Sequence, residues 1–161
     1  MPKVIVNSTP LIVLCKIGHL DLLKKLYHEI FIPSAVYHEV TALEDSACMQ
    51  IKTAGEWVHV EQICAHTDKK MYKAKLHDGE VEVMILAQEQ QADLVIIDDN
   101  AAKKTAKYLG LSVTGTLGVL IKAKQQGWIR EIHPLLSELK RNSFYISSVL
   151  ERIVLEQAGE I

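Results

Sequence analysis

The 161-residue chain carries 48% hydrophobic residues and a formal net charge of −2. That is enough apolar material for one core, and one domain over residues 1–161 is expected. The slightly acidic balance argues against a protein that coats nucleic acid by bulk charge, although a local basic face is compatible with any net value. Cys15, Cys48 and Cys64 are odd in number and form no Cys-x-x-Cys pair, and no apolar run reaches the ~18 residues of a membrane span. A soluble protein of the reduced cytoplasm is expected, without disulfide framework, zinc knuckle or membrane contact.

Val4-Ile5-Val6 reads as a β-branched strand that breaks at Asn7-Ser8-Thr9-Pro10, where Ser8 or Thr9 serves as N-cap and Pro10 takes the first helical position. That helix stops at Gly18, and a second runs from His19 to Leu26. Ile30 to Ile32 is a short strand, followed by a helix over Ala35 to Val40 that carries Glu39, a helix over Ser46 to Thr53 and a strand over Trp57 to Val60. Residues 65–75 read as an inserted loop or loose helix. Asp78-Gly79-Glu80 opens a helix whose centre, Val83 to Ala87, is apolar nearly all round and therefore buried, with Glu82 read as a solvated neighbour. Leu94 to Ile97 is an apolar strand buried on both faces, and it runs straight into Asp98 and Asp99. The helix beyond has Ala102, Thr105, Ala106 and Leu109 on one face and Lys103, Lys104 and Lys107 on the other, with Gly110 as its stop. A strand over Ser112 to Thr114 and helices over Leu117 to Gln126, Pro134 to Arg141 and Ile146 to Ala158 complete the chain. The last helix has a stripe of Ile146, Val149, Leu150, Ile153 and Val154 that its own sheet, a second subunit or another protein must cover. Strand and helix alternate throughout, which defines an α/β class with a central parallel sheet flanked by helices.

In such a sheet, helices that follow strands start at the strands' carboxyl ends, so Asn7, Ser8, Thr9, Asp98, Asp99 and Thr116 are delivered to one edge. Glu39 and Glu80 lean toward the same cleft from helices. Three or four acids gathered there repel one another unless a divalent cation sits among them, and hard oxygen donors suit Mg²⁺ or Mn²⁺. Metal-assisted phosphodiester hydrolysis uses that arrangement. Asp98, Glu80 and Glu39 are the candidate catalytic acids, and Asp98, Glu80, Asn7 and Asp99 the candidate metal ligands.

Each has a plainer role beside the functional one. Asp98 or Asp99 can cap the lysine-bearing helix, Asp99 can pair with Lys103, Glu80 can stabilise a helix N-terminus, and Asn7 can hydrogen-bond within its turn. Ser8, Thr9 and Thr116 are first of all helix caps, with contacts to a substrate phosphate as a second use of the same hydroxyls. Lys103 and Lys107, with Lys104 and with Lys69, Lys70, Lys73 and Lys75, either track a nucleic-acid backbone or form a solvated face.

Five segments, Val-Asn-Ser-Thr-Pro-Leu-Ile, Pro-Ser-Ala-Val-Tyr-His-Glu-Val, Gly-Glu-Val-Glu, Ile-Ile-Asp-Asp-Asn and Gly-Thr-Leu-Gly-Val-Leu, occur in this order. Together they resemble a PIN domain, and more narrowly a prokaryotic PIN subfamily of unknown function expected to bind nucleic acid. The resemblance covers nearly the whole chain. It implies a three-layer α/β/α fold and a Mg²⁺- or Mn²⁺-dependent ribonuclease acting on single-stranded or structured RNA, many such domains being the toxin of a toxin-antitoxin pair. An antitoxin protein or a second copy of the chain is the protein partner it implies. The family's four acids fall on Asn7, Glu39, Glu80 and Asp98, and Thr9 matches the hydroxyl residue that follows the first. Asn7 is the departure: an amide oxygen can ligate a cation but brings no charge. The alternative is therefore a non-catalytic RNA- or protein-binding module with a degenerate metal site.

Overall fold

Val4, Ile5 and Val6 have no exposed surface, and this β-branched triplet forms the central strand, β1 (Val4–Val6), of an all-parallel sheet. It lies between β2 (Ile30–Pro33) and β4 (Leu94–Ile96), with β3 (Val58–Glu61) and β5 (Val113–Thr114) outermost, in the order β3-β2-β1-β4-β5. Ile5 pairs with Phe31 on one side and Val95 on the other. Val95, Ile96 and Ile97 are as fully buried as β1. Each such side chain contributes about 1.5–3 kcal/mol when taken out of water, and parallel pairing on both flanks of β1 satisfies the backbone groups that this burial removes from water. The computed structural model describes residues 2–42, 46–64 and 76–161. The expected loop over 65–75, with Lys69, Lys70, Lys73 and Lys75, and the Cys48 side chain lie outside what is described. Cys15 is buried and Cys64 exposed.

The described helices are α1 (Ser8–Lys16), α2 (Asp21–Tyr27), α3 (Ser34–Thr41), α4 (Ser46–Thr53), α5 (Asp78–Glu89), α6 (Asn100–Tyr108), α7 (Thr116–Gln125), α8 (His133–Arg141) and α9 (Ser148–Gln157). Helix α5 packs on β1, β2 and α3, while α7 packs on α1, α2 and α9. The result is the three-layer α/β/α PIN-like architecture. Gly79 to Ala87 of α5 are all buried, as its apolar centre requires. Ala102 and Ala106 of α6 face inward, and Lys104 and Lys107 face solvent. No helix among the described residues is long and apolar enough to cross a membrane.

Three local expectations are corrected. Helix α1 begins at Ser8 with Asn7 as N-cap, so Pro10 is its third residue rather than its first. The cause is the sheet: the Asn7 N–H donates to the Ile96 carbonyl at 2.9 Å, which extends the strand to Asn7 and leaves the Ser8 hydroxyl free of capping. Glu82 is 6% exposed, not solvated, and accepts from the Ala35 N–H at 3.0 Å. It thereby satisfies an open donor at the start of α3. Helix α9 starts at Ser148, capped by Ser147, whose Oγ accepts from the Leu150 N–H at 3.1 Å. The helix buries Val154 and Leu155, and Ile146 before it is buried, but Val149, Leu150 and Ile153 remain exposed. The sheet does not cover that part of the stripe.

Candidate active site

β1 ends by delivering Asn7, Ser8 and Thr9 to the carboxyl edge of the sheet. Helix α3, which follows β2, brings Glu39, and the first turn of α5 brings Glu80. These five residues and His77 line a cleft of about 270 Å³. The Ser8 hydroxyl donates to Glu39 Oε2 at 2.7 Å, and the His77 N–H donates to Glu80 Oε1 at 3.0 Å. Glu80 thus folds back on the residue that starts its own helix, a capping-box geometry. Glu39 lies hard against Gly79, where an added side-chain carbon would fall 2.2 Å from its Oε1.

The cleft is short of positive charge. Burial raises the Glu80 carboxyl above its ordinary value; the His77 N–H bond lowers it, and the charges of Asp99 and Glu39 add to the rise. Asn7 is 4% exposed, and its Oδ1 is a buried acceptor without a hydrogen-bond partner among the described residues. An orphaned oxygen on a residue that shares a cleft with two glutamates gives a donor set of the hard, oxygen-only kind that suits a small divalent cation. Among the described residues no three His, Cys, Asp or Glu side chains are arranged to hold a metal ion. The fit therefore depends on the Asn7 amide joining Glu39 and Glu80, with water completing the shell.

Asp98 and Asp99 part company at the end of β4. Asp99 is exposed and caps α6, its Oδ2 accepting from the Ala102 N–H at 2.9 Å, while its charge reaches Glu80. Asp98 instead reaches the start of α7. Its Oδ1 accepts from the Thr116 N–H at 2.8 Å and its Oδ2 from the Thr116 hydroxyl at 2.6 Å. Gly115, not Thr116, is the N-cap of α7. Asp98 thereby lines a second cleft of about 420 Å³, together with Asn100, Lys103, Gly115, Tyr145 and others. Lys103 joins Asp98 there rather than serving Asp99: its Nζ and Asp98 Oδ1 lie 3.0 and 2.7 Å from the point a side chain on Gly115 would occupy. Lys107 is exposed on α6.

Of the residues singled out in the sequence, Asn7, Ser8, Thr9, Glu39 and Glu80 share one cleft, Asp98 and Lys103 share the next, and Asp99 couples to the first by charge. From sequence alone His77 has no role, Gly79 only a place at a helix start, and Glu82 only that of a solvated acid. His77 stands three residues before Glu80, the capping-box spacing, but histidine is not among the usual caps. Glu82 sits on a helix apolar nearly all round, which itself signals that any face of α5 is buried.

Carboxylates at the carboxyl edge of a parallel α/β sheet stand where such folds bind their ligands. The chain belongs to the PIN-domain family: the family DUF3368, described as a PIN domain, matches residues 3–160. PIN domains are generally nucleases that act on nucleic acid with divalent metal ions. No curated protein matches the chain.

Proposed function

We propose that this PIN domain is an endoribonuclease dependent on Mg²⁺ or Mn²⁺. The observation that carries the reading is the orphaned Asn7 Oδ1, buried beside Glu39 and Glu80 in one cleft. Asn7, Glu39 and Glu80 would hold the cation, with Asp99 adding negative charge from the next strand end. When bound, the cation supplies Lewis-acid chemistry, activating water and offsetting charge on the phosphate. The chain's own groups set the stage. Ser8 fixes Glu39 through Oε2, the His77 N–H fixes Glu80 through Oε1, and exposed Thr9 offers a hydroxyl to the phosphate at the cleft rim. Lys103 and Lys107 attract the RNA backbone from α6. Asp98 acts as a positioning residue, holding the start of α7 through Thr116.

A fluorescently labelled single-stranded RNA, incubated with the protein and Mn²⁺ or Mg²⁺, tests this directly. Cleavage is expected with metal and is lost in chelator and in Glu80→Gln. The second reading, a binding module, is favoured by the neutral Asn7, which leaves the cleft one charge short. No cleavage with either metal, together with RNA binding indifferent to metal, would establish the module instead. The narrower form of the enzyme reading, a toxin held by an antitoxin, draws on the exposed Val149 and Ile153 of α9. Co-expression with the protein encoded by the adjacent reading frame tests it, through stable co-purification and loss of cleavage.

A further inference from the structure

We propose, taking the ligand class from the nuclease reading, that the cleft beside Asp98 is a nucleobase pocket that holds one nucleotide of a single-stranded RNA next to the acid-lined cleft. Its volume of about 420 Å³ falls within the range of small-molecule sites, roughly 300–1,000 Å³. Leu117, Phe144 and Leu150 supply apolar walls, and Asn100 and Ser147 supply hydrogen-bonding side chains. Tyr145 stands at the rim with 86% of its surface exposed, so its ring does almost nothing for the core and is available for stacking.

Charge selects a nucleotide over an aliphatic peptide side chain. The Lys103 ammonium lies at the pocket beside Gly115, placed to meet a phosphate. Asp98 keeps its charge while Thr116 donates to both its oxygens, so it offsets part of the attraction of Lys103, and the aromatic rim must supply the rest of the preference. A flat heteroaromatic ring with an anionic tail uses the aromatic rim, the apolar walls and the cation together; an aliphatic side chain uses only the walls. The clefts also adjoin: Asp98 follows β4 and Asn7 follows β1, two paired strands that lie about 4.8 Å apart. A phosphodiester leaving the base pocket is thus led toward Asn7, Glu39 and Glu80.

Amide NMR titration of the whole chain in chelator, with each of the four ribonucleoside 5′-monophosphates and with ribose 5-phosphate, tests the pocket without any need for cleavage. At least one nucleotide is expected to shift Asn100, Lys103, Leu117, Tyr145 and Leu150, and to bind more tightly than ribose 5-phosphate. Tyr145→Ala should weaken it about tenfold, within the range that loss of one base stack produces, and Tyr145→Phe should retain it. Three results would overturn the pocket: no shifts at these residues with any nucleotide, equal binding of ribose 5-phosphate, or affinity unchanged in Tyr145→Ala. Shifts at the same residues on raising protein concentration alone would also overturn it, in favour of a second copy on this face. RNA cleavage with an unresponsive pocket leaves the nuclease standing, whereas nucleotide binding without cleavage keeps the pocket and removes the nuclease.

Discussion

Both carboxylate oxygens of Asp98 accept from a single residue, Thr116, through its N–H at 2.8 Å and its hydroxyl at 2.6 Å. An acid just past the end of β4 thus fastens the first residue of α7, the helix that follows the neighbouring β5. Hydrogen bonds to a charged acceptor contribute about 1.5–3 kcal/mol each, more than neutral ones. Asp98→Asn and Thr116→Val should each destabilise the fold by about 1–3 kcal/mol in urea unfolding. The double variant should cost clearly less than the sum, because both changes break the same clasp. Additive costs would show that the two side chains act separately.

Gly79→Ala separates site from fold. The new methyl would fall 2.2 Å from Glu39 Oε1, but that atom ends a flexible side chain and can swing away. Alanine is meanwhile the better helix former, by up to about 1 kcal/mol. Thermal stability should therefore change little, while displacement of Glu39 from Ser8 weakens Mn²⁺ binding by isothermal titration at least several-fold. Unchanged Mn²⁺ affinity would remove Glu39 from the ligand set.

Asn7→Asp places a charge where the native amide is 4% exposed, next to two glutamates. Without metal, the variant should be less stable than the parent by about 1–3 kcal/mol, the usual cost of a poorly satisfied buried polar group. Saturating Mn²⁺ should restore the loss, since a ligand that binds only the folded state adds about 2.7 kcal/mol at one hundred times its dissociation constant. Thermal melts with and without Mn²⁺ read both effects. Destabilisation that Mn²⁺ leaves untouched would argue against a cation at Asn7.

Two glutamates should give the stability profile opposite slopes. Burial raises the Glu80 carboxyl, the His77 N–H opposes it, and Asp99 and Glu39 raise it further. Folded Glu80 thus keeps its proton at pH values where the unfolded chain has released it. The native state then binds more protons, and stability falls as pH rises from the ordinary glutamate range, near about 4.3, through the raised value. For Glu160, burial also raises the carboxyl, but the Ile132 and His133 N–H groups and the Lys124 ammonium outweigh it and hold it low. Its contribution is present above the ordinary range and is lost as pH falls through the lowered value. Melts between pH 3 and 7 in chelator should show Glu80→Gln removing the decline with rising pH and Glu160→Gln removing part of the acid-side loss. Parallel profiles for parent and Glu80→Gln would contradict the crowded cleft.

The sheet is legible in the sequence because its strands are short β-branched runs cut by Asn-Ser-Thr-Pro, Pro-Ser and Asp-Asp, and their order forces parallel crossovers. Asn7, Glu39 and Glu80 are legible as neighbours through the order of the segments that carry them. What stays hidden is pairing across space. Ser8 meets Glu39 from 31 residues away, Thr116 meets Asp98 from 18 and Glu82 meets Ala35 from 47. Local pattern treats each of these side chains as a helix cap or a solvated acid, because only tertiary packing supplies the partner. The parting of Asp98 from Asp99 is of the same kind: Asp99 caps its own helix while Asp98 finds Thr116 at a separation of 18 residues, and only tertiary packing supplies that second partner.

The strand order also governs how the chain folds. β1 occupies the middle of the sheet, yet its partner on one flank, β4, begins at Leu94, paired with Val4 across 90 residues. Contacts of such separation slow folding, because the loop must close before the pairing rewards it. Until then one edge of Val4-Ile5-Val6 is an open, wholly apolar template of the kind that recruits other chains. Refolding yield should therefore fall steeply with protein concentration, measured as recovered soluble protein after dilution from denaturant.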